Sequence, residues 1–274
     1  MTLTVVLPPS LGTAKANARA ELLETALSRD LGEPVTAVVA SSYADLEARA
    51  DRAPLVWAPA AVCAKLAAAR AVFTIVRRGQ ATYRSALVGL SERALGLDKL
   101  GGTRAAWVDP LSAGGYLLVA AMLREHGIDL DRTFASQVFL GSHRAAVEAV
   151  LHGAADVTAV SIVSDDDAAI AEMLRWYAGP AGNRLTAIAL SEACPNDAIV
   201  ITNALPEGPA ARLAEKLVPT TPGARARSRL LSALEAEGLV RSDLDEYRRL
   251  RRALVWSGRS HSTPPPRSTL RPPR

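Results

Sequence analysis

Two short loops carry the residues that could hold an anion. Ser112-Ala113-Gly114-Gly115-Tyr116 joins a predicted strand to an apolar helix, and Gly141-Ser142-His143-Arg144 repeats this arrangement one unit later. Each loop combines a serine hydroxyl with backbone N–H groups at a helix N-terminus, and the second loop adds an imidazole. Such N-termini hold anions through unpaired N–H groups and the helix dipole. The alternative is that Ser112 and Ser142 only cap their helices, and the spacing alone favours it.

Three aromatic residues lie where they could line the same cleft. Tyr43 and Trp57 each follow a predicted strand near the start of a helix, and Tyr83 lies early in a long strand that also holds Ser85. An aromatic ring at such a place can line a cleft, and a tyrosine can also donate its hydroxyl. For Trp57, ordinary packing explains the residue equally well.

Motifs for other chemistries are missing from the sequence. It has no Gly-x-Gly-x-x-Gly after a strand, no Walker loop, no His-Glu-x-x-His and no Cys-x-x-Cys, so no cofactor is implied. No histidine has a metal partner at a suggestive spacing. Asp165-Asp166-Asp167 precedes a predicted helix, and we interpret it as a helix cap rather than a metal cluster. Two cysteines are too few for a disulfide framework, and Cys63 is predicted to be a buried thiol.

Composition excludes two classes of partner. The 274 residues carry a net charge of +4, and the arginines of residues 257–274 account for all of it. The rest of the chain is close to neutral, so a nucleic-acid partner is not expected. The longest apolar runs reach about eight residues, whereas a membrane-spanning helix needs roughly twenty. We therefore expect no membrane span.

Strands and helices alternate along almost the whole chain. The apolar patterns predict strands at 3–7, 34–40, 54–57, 72–76, 81–90, 104–108, 137–140, 156–161, 185–190 and 198–202. They predict helices at 18–31, after Ser42, and at 59–70, 115–126, 142–152, 165–177, 207–217, 223–237 and 241–254. Such alternation is typical of parallel sheets with right-handed crossovers. The predicted fold class is therefore α/β.

A glycine-rich break near 91–102 divides this alternation into two units. We predict a discontinuous lobe 1 of residues 1–84 and 191–255, a lobe 2 of residues 85–190, and a disordered Pro/Arg-rich tail of residues 256–274. The segments 81–90 and 185–202 are the candidate links between the lobes. Ligands of open α/β sheets bind outside the carboxyl ends of the strands, so both candidate loops can face one cleft.

Four segments resemble the phosphate-, phosphite- and phosphonate-binding proteins of ABC transporters, the PhnD-like family. They are residues 81–88, 106–116, 141–157 and 195–197, and the similarity extends over about residues 1 to 235. The resemblance implies the type 2 periplasmic-binding-protein fold, in which two α/β lobes joined by two linking strands close on a ligand. It implies a non-enzymatic protein that binds a small anion, with an ABC-transporter permease as partner where it feeds a transporter.

The resemblance also assigns roles to individual residues. The family's anion loop, Ser-Thr-Ser-Gly-Tyr, falls on residues 112–116, where only the first hydroxyl remains. The family's Ser-His pair is intact, and Ser161 stands near the place of its acidic group. The candidate ligand-binding residues are Tyr43, Tyr83, Ser85, Ser112, Ala113, Gly114, Tyr116, Ser142, His143, Ser161 and Asp197.

The altered loop leads to an expectation about affinity. A hydrogen bond to a charged group is worth roughly 1.5–3 kcal/mol, so the loss of two hydroxyls predicts weaker binding than in the family. Restoring them by Ala113→Thr with Gly114→Ser is predicted to strengthen binding, unless Gly114 requires a positive φ.

Three functions stay open at this stage. The first is a binding protein that feeds a transporter or senses its ligand. The second is a cytosolic enzyme on the same fold, of the menaquinone-pathway type, with His143 as general acid or base. The third is a degenerate domain that binds a protein partner through its tail. No secretory signal precedes the first strand, so the chain as written is predicted to be cytoplasmic, and periplasmic if translation starts upstream.

Overall fold

The computed structural model describes residues 3–9, 13–217 and 229–260. Its strands are β1 (Leu3–Leu7), β2 (Val35–Val39), β3 (Leu55–Ala58), β4 (Ala71–Val76), β5 (Thr82–Leu90), β6 (Arg104–Trp107), β7 (Ser136–Phe139), β8 (Val157–Ile162), β9 (Leu185–Leu190), β10 (Cys194–Pro195), β11 (Ala198–Ile201) and β12 (Gly238–Ser242). Its helices are α1 (Thr13–Leu31), α2 (Tyr43–Ala50), α3 (Ala60–Cys63), α4 (Leu118–Glu125), α5 (Leu130–Thr133), α6 (His143–Leu151), α7 (Asp167–Ala178), α8 (Glu207–Leu217), α9 (Arg229–Ala233) and α10 (Arg248–Ser260). A π-helical turn, Ala113–Leu117, leads directly into α4.

The strands form two sheets, one in each lobe. The first has the order β12–β4–β11–β3–β1–β2, and the second has the order β10–β5–β8–β6–β7, with β9 paired to β5. β1 runs parallel to β2 and β3, and β6 runs parallel to β7 and β8. The strands next to the crossings are antiparallel to their neighbours. β5 pairs with β8 and β9, and β11 pairs with β3 and β4. The predicted α/β class with two sheets is confirmed.

The chain crosses between the sheets twice, and the two crossings are bonded to each other. The first crossing joins β4 to β5, and the second joins β10 to β11. Asn196 of the second crossing donates its side-chain amide to the carbonyls of Ile75 (2.8 Å) and Gln80 (3.0 Å). We propose that the lobe boundaries lie at these crossings, residues 77–81 and 196–197, a few residues away from the boundaries predicted at 84 and 191.

The last helix, α10, ties the two lobes together behind these crossings. Its Leu250 and Ala253 are buried in an apolar cluster that contains residues of both sheets. Just before the helix, the buried Tyr247 donates its hydroxyl to the carbonyl of Asn196 at 2.7 Å. Arg251 donates to the carbonyls of Ala64 and Leu66 at 2.7 and 3.0 Å. These contacts hold the start of α10 against lobe 1 and the second crossing.

Two predicted helices are corrected by the structure. The helix predicted at 59–70 ends early, as α3 at Cys63. The Arg251 side chain donates to the carbonyls of Ala64 and Leu66, just after α3. These tertiary hydrogen bonds take the place of the helical ones that a longer helix would make. The helix predicted at 241–254 is instead the edge strand β12, a 3₁₀ turn and the start of α10. β12 forms because it pairs with β4 along its whole length.

Two further predictions fall partly outside the described residues. Of the helix predicted at 223–237, the structure shows α9, and residues 223–228 lie outside the described part. α10 reaches Ser260, so the predicted disordered tail 256–274 is helical at its start. Residues 261–274 lie outside the described part. Within the described ranges, no helix is both long and apolar enough to cross a bilayer.

The structure confirms two local predictions. Asp166 caps α7, because its carboxylate accepts the N–H of Ala169 at 3.0 Å. Cys63 is fully buried, and its thiol donates to the carbonyl of Ala58. Burial raises the pKa of the Cys63 thiol well above its ordinary value, so the sulfur stays protonated and unreactive.

Candidate functional site

A cleft of about 450 Å³ lies between the two lobes. Lobe 1 contributes residues that follow β1, β2 and β3, and lobe 2 contributes residues that follow β6, β7 and β8. Most of the site residues predicted from the sequence line this cleft. They are Tyr43, Tyr83, Ser112, Ala113, Gly114, His143, Ser161 and Asp197.

The loop before α4 points a helix N-terminus into the cleft. Ser112 is its N-cap, and the serine oxygen accepts the N–H of Gly115 at 3.1 Å. The N–H groups of Ala113 and Gly114 have no acceptor among the described residues. A helix N-terminus carries partial positive charge, so these groups offer an oxyanion two donors and a favourable field.

Ser85 does not line the cleft but holds this loop in place by a hydrogen bond to its backbone. Its side chain is fully buried, and its hydroxyl donates to the carbonyl of Gly114 at 2.6 Å. The N–H of Ser85 in turn donates to the hydroxyl of Ser191 at 2.9 Å. The position of the loop is therefore fixed through β5 to the segment between β9 and β10.

Both glycines of the loop are required by close packing. A Cβ at Gly115 would lie 2.5 Å from the Cβ of Val108, and a Cβ at Gly114 would lie 1.9 Å from the hydroxyl of Ser161 and 3.2 Å from the ring of Tyr83. Neither glycine has a positive φ, so the obstacle at Gly114 is steric and the expectation of a special φ is wrong. Ser161 occupies the space that a side chain at position 114 would need.

This size relation predicts a non-additive pair of substitutions. Gly114→Ser alone should weaken methylphosphonate binding about tenfold, because an overpacked side chain costs roughly 1–3 kcal/mol and displaces the loop. Gly114→Ser combined with Ser161→Gly should recover the affinity, which calorimetric titration of both variants would measure. Stronger binding by Gly114→Ser alone would contradict this reading of the packing.

His143 brings an imidazole to the same cleft. It is the first residue of α6, and its ring lies 5.2 Å, centroid to centroid, from the ring of Tyr177. Its Nδ1 is buried and has no hydrogen-bond partner within the described chain. Burial lowers the pKa of His143 below its ordinary 6.5, and the carbonyl of Ala159 offsets part of that effect. The ring is therefore neutral at pH 7 in the free protein.

The pH dependence of binding follows from this pKa. An anion against the ring favours the imidazolium and raises its pKa, so affinity should fall as pH rises from the lowered free-state pKa to the bound-state pKa. His143→Phe keeps the ring contact with Tyr177 and removes the titrating group. The ratio of wild-type to His143→Phe affinity for methylphosphonate should exceed one at acidic pH and shrink towards pH 8.

The comparison with His143→Phe at each pH cancels the titration of the ligand itself. His152→Ala is the matched control, because His152 lies at the opposite end of α6. A ratio that stays constant with pH, or an equal effect of His152→Ala, would show that a protonated His143 does not contribute to binding.

Besides Ser85, two predicted residues lie outside the cleft. Ser142 is exposed, and its oxygen is used to cap α6 by accepting the N–H of Ala145 at 3.2 Å. Tyr116 is buried in lobe 2, with its ring 5.6 Å from that of Trp107 and 5.1 Å from that of Phe139. Tyr116 already belongs to the helical turn Ala113–Leu117, and its side chain lies on the face of that turn that packs in the core.

Asp197 lines the cleft, but its charge is already compensated. Its carboxylate accepts hydrogen bonds from the Arg77 guanidinium and from the indole N–H of Trp57. The sequence left open whether Trp57 packs in the core or lines the cleft. It does both, because it belongs to the core of lobe 1 and also lines the cleft.

Tyr83 can act as a hydrogen-bond donor in the cleft. Burial raises the pKa of its hydroxyl well above 10, with smaller contributions from Cys194 and Asp197. The hydroxyl therefore keeps its proton.

Comparison with known proteins identifies the family. Residues 5–247 match the family described as "ABC transporter, phosphonate, periplasmic substrate-binding protein". The chain belongs to this family. Its members are substrate-binding proteins and not enzymes, so the enzyme alternative is set aside, and the resemblance to PhnD-like proteins is confirmed. No curated protein matches the chain.

Solved structures of phosphonate-binding proteins share the fold at low sequence identity. The binding-protein component of an ABC phosphonate transporter from Pseudomonas aeruginosa is 18% identical, with a TM-score of 0.67 over 94% of this chain and 87% of the other. PhnD1 from Prochlorococcus marinus, in complex with methylphosphonate, is 18% identical, with a TM-score of 0.69 over 94% and 97%. XAC2383 from Xanthomonas citri, bound to ATP, is 19% identical, with a TM-score of 0.71 over 94% and 97%. The predicted two-lobed type 2 fold is confirmed.

Several cleft residues of this phosphonate-binding family member were not predicted from the sequence. They are Arg78, Met173, Trp176 and Tyr177. Arg78 donates to the sulfur of Met173 at 2.8 Å, and no carboxylate pairs with its guanidinium among the described residues. The Arg77-Arg78-Gly79 turn precedes the segment 81–90 that was predicted to link the lobes, so it was a partial signal for a cation near the cleft.

Proposed function

We propose that this protein binds a phosphonate-like oxyanion in its cleft and delivers it to an ABC-transporter permease. The family supports the binding of a small anion. One observation carries the choice of site: the free N–H groups of Ala113 and Gly114, the Ser112 hydroxyl and His143 line one cavity. The methylphosphonate complex of PhnD1 supports a ligand of this chemistry.

The charges around the cleft favour an anion over a cation. Its described lining contains two arginines, Arg77 and Arg78, and one carboxylate, Asp197. Arg77 and Asp197 pair with each other, so no carboxylate of the described lining is left to pair with Arg78. Arg78 is exposed, and its contribution to affinity should therefore weaken with added salt.

Calorimetric titration tests the proposed binding. The full chain is titrated with methylphosphonate, phosphite and phosphate, and with malate as a carboxylate control. At least one phosphorus oxyanion should bind with a stoichiometry of one, and malate should bind more weakly. Absence of heat with all three phosphorus oxyanions, or preference for malate, would overturn the proposed function.

Cellular location separates delivery from sensing. Delivery to a permease requires the protein on the outer side of the inner membrane, whereas a cytoplasmic protein could only sense its ligand. Fractionation of cells that express the gene from its own locus would decide between these roles. Recovery from the periplasm would support delivery, and recovery only from the cytoplasm would overturn it in favour of sensing.

A further inference from the structure

We propose that the organic group of the ligand is an uncharged ring that stacks on Trp176 and Tyr177 at the mouth of the cleft. The inference rests on the proposed function, which assigns the phosphorus oxyanion to the inner end of the same cleft. It adds a substituent subsite, and it selects a class of substrate: phosphonates or phosphate esters that carry an uncharged aromatic ring.

The helix α7 presents this subsite. Met173, Trp176 and Tyr177 follow one another at i, i+3 and i+4, which places them on one helix face. All three line the cleft. The face is turned towards lobe 1, because Arg78 of the first crossing bonds the sulfur of Met173.

A row of rings connects the anion end of the cleft to its mouth. The ring of His143 lies 5.2 Å from that of Tyr177, and the ring of Tyr177 lies 4.9 Å from that of Trp176. Exposure increases along the row, from the partly buried His143 to Trp176, whose side chain is 67% exposed. An oxyanion beside His143 would thus direct its substituent along these rings.

The exposure of Trp176 needs a reason that packing does not supply. A tryptophan is a large apolar surface, and soluble proteins usually bury most of it. The ring of Trp176 makes an edge contact with the ring of Tyr177, lines the cleft and is largely exposed. A ring bound there would remove apolar surface from water on both partners.

The charges disfavour an ammonium group as the substituent. The only carboxylate in the described lining is Asp197, and it is already bonded to Arg77 and to the Trp57 indole. Arg78 borders the aromatic face, and a second cation would be repelled by it. An uncharged ring meets neither problem, and the arginine can also lie against the face of a ring.

The size of the cleft is consistent with a substituent larger than methyl. A volume of about 450 Å³ corresponds to roughly fifteen water molecules at about 30 Å³ each. A one-carbon phosphonate fills only a fraction of that space.

Titration of the full chain with three phosphonates tests the inference. Methylphosphonate is the reference, phenylphosphonate carries the uncharged ring, and 2-aminoethylphosphonate carries the ammonium group. In the wild type, phenylphosphonate should bind at least tenfold more tightly than methylphosphonate, and 2-aminoethylphosphonate should bind no more tightly than methylphosphonate. In Trp176→Ala, the phenyl-to-methyl affinity ratio should fall to near one, and Trp176→Phe should retain most of it.

Leu22→Ala is the matched control, because Leu22 is an apolar residue of similar exposure on α1, outside the cleft. Its affinity ratio should equal that of the wild type. Binding of methylphosphonate without a gain for the phenyl compound, a gain that survives Trp176→Ala, or preference for 2-aminoethylphosphonate would overturn the subsite alone. If none of the three phosphonates binds but phosphite or phosphate does, only the subsite fails. If phosphite and phosphate do not bind either, the proposed function fails as well.

Discussion

Asp156→Ala is expected to lower the free energy of unfolding by about 3 kcal/mol, because it removes a buried carboxylate that three groups share. Asp156 is 4% exposed. It accepts the backbone N–H of Arg104 at 2.8 Å, the guanidinium of Arg104, and the guanidinium of Arg93. Both arginines are partly exposed and can regain water, which keeps the cost at the lower end of the range for a broken buried pair.

The same carboxylate predicts an acid dependence of stability. Hydrogen bonds from Arg104, with Arg93 contributing less, hold the pKa of Asp156 well below 3.8 despite opposing burial. A lowered pKa in the folded state means that the stabilisation is complete above the unfolded pKa and is lost as pH falls from there through the folded pKa. The wild type should lose more stability than Asp156→Asn between about pH 5 and pH 2.

Urea denaturation at neutral and acidic pH would measure both effects. Glu148→Ala is the control, because Glu148 pairs with Arg144 on the surface and such pairs contribute about 0.5 kcal/mol or less. A loss below about 1 kcal/mol for Asp156→Ala at neutral pH would show that the cluster does not stabilise lobe 2.

Gly115→Ala should both destabilise the protein by about 2 kcal/mol and abolish measurable methylphosphonate binding. The new Cβ would lie 2.5 Å from the Cβ of Val108, which belongs to the branch point of a side chain and cannot rotate away, and 2.8 Å from the hydroxyl of Ser112. Relief requires the helix to move off the end of β6. That movement carries the Ser112 cap and the free N–H groups out of place.

Gly101→Ala supplies the matched control. A Cβ at Gly101 would meet no atom within 4 Å, and its φ is not positive. Thermal unfolding and calorimetric titration of the two variants should therefore differ, with Gly101→Ala close to the wild type. If Gly115→Ala melts and binds like the wild type, the loop does not depend on this packing.

Most of the fold could be predicted from sequence because its elements are local. Apolar runs and turn residues locate the strands of the parallel cores, and Asp166 signals the start of α7. β12 could not be found in this way, since its polar residue Arg241 fits a helix and its strand form comes from pairing with β4. The helix predicted beyond Cys63 has a favourable alanine-rich composition, but the distant Arg251 takes its carbonyls.

The site residues that a local motif encodes could also be predicted, whereas those placed by the assembly of the lobes could not. Ser112 and His143 were predicted because a helix N-terminus is a local feature that a short motif encodes. Arg78 and Trp176 were missed because their place in the cleft depends on how two lobes and two crossings are assembled. Ser142 was assigned to the cleft together with His143, although successive residues at a helix start point in different directions.

The most direct test of the account compares two serine caps. Ser112→Ala and Ser142→Ala each remove a side-chain oxygen that accepts a helix N–H, so each should cost about 1 kcal/mol of stability. Only Ser112 lines the cleft. We predict that calorimetric titration with methylphosphonate shows affinity reduced about tenfold or more in Ser112→Ala and unchanged in Ser142→Ala. Equal affinities in the two variants, or a greater loss in Ser142→Ala, would contradict the assignment of the anion to the 112–115 loop.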